Sequence, residues 1–481
     1  MDLSKIKEFI IQQNLINKIH NNPKEIYPLG SFNSYSTIPL GWNKKLDINN
    51  FKDKYTKINK YKKFIFIGLG GSINLAKIAG FINPENIYTI DNFNLDQIKV
   101  IKEIINSYKC AIFICSKSGT TLETKILRDI LTDENKHDLF FISDNYELDQ
   151  DKKRTLITQK DIGGRFSLAT HFGILPFVLA GFSLEKIIQN INDANEKLKI
   201  NNSDNLAIKI ASIMYKNYLS DKKIISINSI HKNDYIAEWF EQLLSESLGK
   251  EESGLLPILN NNNFSPNIIF SDNSDSFEIN SINIQIKYDE SIFYKFQIFF
   301  YVIALLGALL NIQPFDQPNV ELTKRYTRKY LESNNPIEIN FKDYSSFKIF
   351  ENKIKLHNQD NLILSILLFS TIVSKKLSHK LEELRKFCFN IGVVLLIYFA
   401  PTYLHSTGQL LKGSFSNIQN FIIFLHGNED QNIQNSLYTL NTFVKNQAIS
   451  DFMAMKECKR KIHFIKTMEN EFIEKITNII E

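Results

Sequence analysis

The chain has 481 residues, 43% of them hydrophobic and 23% charged, with a formal net charge of +5. That is ample to bury a core and too apolar for wholesale disorder, and it suits two or three domains or two large lobes. Lysine and arginine are interspersed with aspartate and glutamate, so the composition gives nucleic-acid binding no support, although a small anion needs only a few local cations.

The first 22 residues pattern as an amphipathic helix and lack the apolar stretch and small-residue cleavage site of a signal peptide. A Pro/Gly/Asn-rich approach follows, up to residue 50. From Tyr61 the pattern changes. KFIFIGLGGS is a short apolar run ending in glycines, and the helical INLAKIAGFI comes next. NIYTID, CAIFICSKSG and DLFFISD are further strand candidates, with the helix TTLETKILRDILTD among them. Strand, turn and helix at this spacing mean βαβ units and a parallel sheet, with ligands beyond the carboxyl ends of the strands. Residues 184–220 read as helices. A second series runs KKIISINS (strand), YIAEWFEQLLSESLG (helix) and SPNIIFSD (strand). The apolar run Ile298–Leu310 is shorter than the roughly 20 residues a membrane helix needs, so a core helix is expected and no membrane partner. Helices near 359–390, strands GVVLLIYFA and FIIFLHG and a final helix over 433–456 complete the chain. Cys110, Cys115, Cys388 and Cys458 form no CxxC pair, so neither a disulfide framework nor a zinc site is expected. These features favour a cytoplasmic location.

Six blocks carry chemistry. In Gly68-Leu69-Gly70-Gly71-Ser72, small residues let backbone approach a ligand closely, at the positive end of the helix that follows. The dinucleotide fingerprint is absent, because its third spaced glycine is missing. In Ser116-Lys117-Ser118-Gly119-Thr120-Thr121, four hydroxyls and a lysine crowd the end of a buried strand, and Glu123 follows. A helix N-cap needs one hydroxyl; four at a strand end point to a phosphate dianion on a small molecule. Arg165, after Gly163 and Gly164, can be held rigidly over a pocket to stabilise an oxyanion. Gln242 and Glu246 share one face of a helix, and Glu246 stands near its carboxyl end, a setting suited to a general base. Asp316, Gln317, Glu321 and Lys324 follow the apolar helix. His405 sits among small polar residues, an arrangement suited to proton transfer. Taken singly, each block except the hydroxyl-rich turn has a plain structural reading at least as good: a tight turn, a paired arginine, a solvated glutamate or a structural histidine.

Together, GLGGS, SKSGTTLET, DIGGRFSLAT, EQLLSESLGK and FDQPNVELTK stand in the order seen in phosphoglucose (glucose-6-phosphate) isomerases. YLHSTGQLLKGS and the segment from Tyr438 resemble the isomerase half of transaldolase–isomerase fusions. The resemblance implies two sugar-isomerase (SIS-type) lobes of the doubly wound parallel α/β kind, with helical extensions at both ends. It also implies a homodimer, a hexose 6-phosphate substrate, and no metal or other cofactor. The expected division is an N-terminal helical segment (1–50), a first, phosphate-binding lobe (51–200), a second lobe (201–430) and a C-terminal helical tail (431–481).

By motif, Gly71 and Ser72 contact substrate. Ser116, Ser118 and Thr121 hold the phosphate, with Lys117 and Thr120 nearby. Glu246 moves the proton between C1 and C2 through a cis-enediol, and Arg165 stabilises the enediolate. Gln242, Glu123 and Gln317 orient hydroxyls. Lys324 and a histidine assist ring opening. Asn319 replaces the glycine usual in the last block. Between Glu246 and Lys324 there is no histidine, so His405 takes the ring-opening role by motif, in cis or from a partner subunit. The rival readings are an isomerase acting on mannose 6-phosphate or on both epimers, and a non-catalytic sugar-phosphate sensor.

Overall fold

The computed structural model describes residues 2–28, 38–56, 58, 60–133, 136–145, 154–231, 233–332, 347–355, 362–415, 417–427, 430–434, 436 and 438–481. Parts of the Pro/Gly/Asn-rich approach and of the segments 359–390 and 433–456 lie outside them. The chain divides into two compact units. The first is Met1–Asp91, Ile104–Arg128 and Thr132–Gln317, and the second is Asn92–Glu103, Asp129–Leu131 and Pro318–Glu481.

The first unit holds two sheets. Strands β1 (Lys63–Gly68), β2 (Ile87–Ile90), β3 (Cys110–Cys115), β4 (Asp138–Ser143) and β5 (Thr155–Ile157) form a parallel sheet in the order β2-β1-β3-β4-β5. The order reverses between β1 and β3. Open α/β sheets bind ligands at such a switch point, beyond the carboxyl ends of the strands. Gly68 pairs with Cys115, so the glycine turn and the hydroxyl-rich turn leave the sheet side by side. The near-continuous apolar runs of β1 and β3 suit strands covered on both faces.

The second sheet contains β6 (Ile224–Ser229), β7 (Leu256–Leu259), β8 (Asn267–Ser271), β9 (Ser276–Phe277) and β10 (Ser281–Gln285), in the order β7-β6-β8-β10-β9. Its pairings are parallel except that of β9 with β10, which is antiparallel. The helix Ile292–Leu310 is longer than its thirteen-residue apolar run suggested, and its 19 residues would be long and apolar enough to cross a membrane. Here it is a core helix: fourteen of its residues, Ile292 to Gly307, are buried. Its buried Gln297 donates to Trp42 O (2.9 Å) and Asn195 Oδ1 (2.6 Å). Trp42 in turn stacks on Phe166, with ring centroids 5.6 Å apart, which seats the backbone next to Arg165 on the core.

The second unit carries a third parallel sheet, which the reading in terms of two lobes did not anticipate. Strands β11 (Leu362–Phe369), β12 (Val393–Phe399), β13 (Gln419–Leu425) and β14 (Lys461–Thr467) take the order β12-β11-β13-β14. LILSILLF is therefore a strand, not the start of a helix near 359–390; the helix is Lys375–Asn390. A short apolar run has no period to separate the two, and only its parallel partners settle it. Residues 431–481 are likewise not purely helical, because β14 lies between the helices Leu440–Glu457 and Glu469–Ile480. Asn92–Glu103 belongs to this unit although it follows β2. The Phe93 ring meets Phe443 edge-on at 5.5 Å, and Leu95 N–H donates to Thr371 O (2.9 Å).

Candidate active site

The glycine turn is shaped by contact between two stretches of backbone. A Cβ on Gly71 would lie 2.3 Å from the carbonyl carbon of Gly164 and 2.5 Å from Arg165 N. Only glycine lets the two turns touch, and Ser167 Oγ ties them by donating to Gly71 O (2.9 Å). Gly71 thus sets the base on which Arg165 stands. The half-buried Ser72 closes the short turn Gly70–Ser72.

Arg165 is buried, its side chain 3% exposed, and five acceptors orient it. Nε donates to Ser247 Oγ (2.8 Å). Nη2 donates to the carbonyls of Pro314 (2.7 Å) and Asp316 (2.9 Å). Nη1 donates to Gln317 Oε1 (3.0 Å) and lies 3.2 Å from Glu246 Oε1. Glu246 sits in the last turn of the helix Ile236–Leu248. One turn earlier, Gln242 Nε2 donates to Glu246 Oε2 (2.9 Å), while Asn74 Nδ2 donates to Gln242 Oε1 (2.7 Å). Because Asn74 opens the helix after the glycine turn, one hydrogen-bonded chain runs from that turn to the carboxylate. Lys250 completes the cluster. Its ammonium contacts Gln313 O and lies 2.6 Å from Asp316 O and 2.7 Å from Asp316 Oδ1. Burial pushes the Lys250 ammonium down to about 8; the Asp316 carboxylate opposes the shift and nearby Arg165 adds to it.

The hydroxyl-rich turn lies at the neighbouring strand end. Gly119 takes a φ of 71°, a left-handed conformation that a side chain disfavours. Ser116 Oγ donates to Thr121 Oγ1 (2.9 Å), and Ser118 Oγ and Thr120 Oγ1 hydrogen-bond each other at 2.9 Å. Thr121 occupies the N-cap of the helix Leu122–Leu131 yet makes no capping hydrogen bond with its side chain. Ser118 Oγ instead accepts from Thr120 N–H (3.2 Å) and Ser116 Oγ from Thr121 N–H (3.4 Å). Glu123 is buried in the first turn of that helix. Lys117 pairs with Asp144 beyond β4, so its charge is matched within the protein.

No family model matches the chain. It is 26% identical to the glucose-6-phosphate isomerase of Fusobacterium nucleatum subsp. nucleatum, over 68% of this chain and 94% of that enzyme. It is 31% identical to the glucose-6-phosphate isomerase of Methanocaldococcus jannaschii, where the match spans 43% of this chain and about half (55%) of the relative. A solved glucose-6-phosphate isomerase from Chlamydia trachomatis shares the fold, with a TM-score of 0.55 at 15% identity over 69% of this chain and 86% of that one. So does a hypothetical protein of Thermus thermophilus, with a TM-score of 0.53 at 19% identity over 68% and 96%. The chain is thus similar to glucose-6-phosphate isomerases in sequence and shares the fold of a solved one.

The residues singled out in the sequence are not all in one unit. Gly71, Ser72, the 116–121 turn, Glu123, Arg165, Gln242, Glu246 and Gln317 lie in the first; Lys324 and His405 lie in the second. Lys324 pairs with Glu321 (2.7 Å) on the helix Pro318–Glu332, and His405 ends a short turn after β12. Buried polar contacts tie these two segments together. Gln409 and Asn319 exchange hydrogen bonds of 2.7 and 3.0 Å, so the asparagine that replaces the usual glycine has a partner. Asp451 meets Thr323, Tyr403 and Lys412. Sequence reasoning missed Asn74, Ser247, Lys250 and Asp451. Lys250 alone carried a signal, a lysine four residues after Glu246.

Proposed function

We propose that the protein interconverts D-glucose 6-phosphate and D-fructose 6-phosphate by moving one proton through a cis-enediol. The observation that carries this reading is the Glu246 carboxylate, held by Arg165 on one oxygen and Gln242 on the other, within the unit that also holds the hydroxyl-rich turn. In the mechanism, the phosphate rests on Ser116, Ser118 and Thr121, with Lys117 and Thr120 nearby, and its binding energy holds the reacting end in place. Gly71 and Ser72 flank the substrate, and Glu123, Gln242 and Gln317 orient its hydroxyls. Lys324 and His405 open the ring. Glu246 takes the proton from one carbon and returns it to the other. The Arg165 guanidinium, fixed in advance, neutralises the enediolate oxygen as charge develops. On this reading the enzyme serves glycolysis and gluconeogenesis as a cytoplasmic homodimer without a cofactor. The test is a coupled assay on purified protein with chelator present, fructose 6-phosphate supplied and glucose 6-phosphate detected. Turnover is expected. Binding without turnover would point to a sensor, and faster turnover to mannose 6-phosphate would reassign the substrate.

A further inference from the structure

Four buried charges surround the 313–317 turn. Side-chain exposure is 3% for Arg165, 9% for Glu246, 5% for Lys250 and 8% for Asp316. The two cations balance the two anions, but the pairing is not fixed by charge alone. Arg165 already touches the backbone of Asp316: its Nη2 donates to the Asp316 carbonyl at 2.9 Å. The Lys250 ammonium lies 2.6 Å from that same carbonyl and 2.7 Å from the Asp316 carboxylate. Were Lys250 absent, the buried Asp316 carboxylate would lose the ammonium 2.7 Å away, and the loss of a cation from a buried carboxylate favours the capture of another. A guanidinium stands within reach, and its planar fork suits a carboxylate better than any other side chain does. Its capture by Asp316 would draw Nη1 away from Glu246.

We propose that Lys250 is a positioning residue for the isomerisation: by neutralising Asp316 it leaves Arg165 committed to Glu246. The inference rests on the isomerase reading above. Lys250 itself touches no substrate in this scheme and acts through the arginine.

The experiment compares wild type, Lys250→Met and Lys250→Met/Asp316→Asn, each checked for folding by circular dichroism. The first variant removes the ammonium beside Asp316, and the second removes the competing carboxylate as well. Misplacing a reacting group by about 1 Å costs up to about 100-fold, so Lys250→Met should lower kcat by about 10- to 100-fold with KM changed much less. The double variant should regain most of that loss, which a merely structural lysine would not allow. Near-wild-type kcat in folded Lys250→Met overturns the proposal, as does a folded double variant no faster than the single one. If Lys250→Met does not fold, the double variant decides: kcat close to wild type supports the proposal, and a deep loss overturns it. Absence of turnover in the wild type would count against the isomerase reading, not against this one.

Discussion

Both oxygens of the Glu246 carboxylate are engaged in the free protein, Oε1 by Arg165 and Oε2 by Gln242. Each ionised oxygen can accept more than one hydrogen bond, so accepting a proton does not require either contact to break. Glu246→Gln keeps the shape and removes the base. Its kcat should fall by about 10²–10⁴-fold while the thermal transition stays cooperative. Fast turnover of fructose 6-phosphate by that variant would remove Glu246 from the role. Of this constellation, the local spacing was legible in sequence: Gln242 and Glu246 are one helical turn apart, and the hydroxyls of 116–121 crowd a single turn. The contacts that fix them were not. Asn74 meets Gln242 across 168 residues of chain, Arg165 meets Ser247 across 82, and Lys250 meets Asp316 across 66. No periodicity reports such meetings.

Among the elements, the glycine turn and the turn before Arg165 act as a single support. Gly71→Ala forces a Cβ to within 2.3 Å of the Gly164 carbonyl carbon, and backbone cannot move aside as a side-chain tip does. Overpacking of this kind typically costs about 1–3 kcal/mol. A lowered melting temperature and a kcat loss larger than any change in KM are expected, because Arg165 must shift with the turn. An unaltered melting curve would show that the turns can separate freely. The strand–turn–helix units at β1, β3 and β4 were readable because each of these apolar runs ends in glycine or hydroxyl residues. β11 was not, since LILSILLF suits a buried strand and a buried helix alike and β12 and β13, which pair with it, come later in the chain.

For the whole molecule, acid stability should reflect His171. This buried residue opens the helix His171–Leu179, its Nδ1 lies 2.9 Å from Tyr55 Oη, and burial, with Lys54 adding, pushes it down to about 3. Its folded value lies below the ordinary 6.5, so between those values the unfolded chain binds more protons, and stability falls as pH falls. From pH 7 to 5 this group alone should remove about 2 kcal/mol. His171→Gln should lose that much less over the same interval in urea titrations; parallel losses in both proteins would show that the imidazole is not responsible. The second unit has a further consequence, for synthesis on the ribosome. Residues 92–103 emerge early, yet Thr371 and Phe443, their contacts there, are translated more than half a chain later. At about 5–20 residues per second the wait is tens of seconds. Through that interval the Phe93 ring has no Phe443 to pack against, so the nascent chain carries an unfinished apolar surface until translation is nearly over.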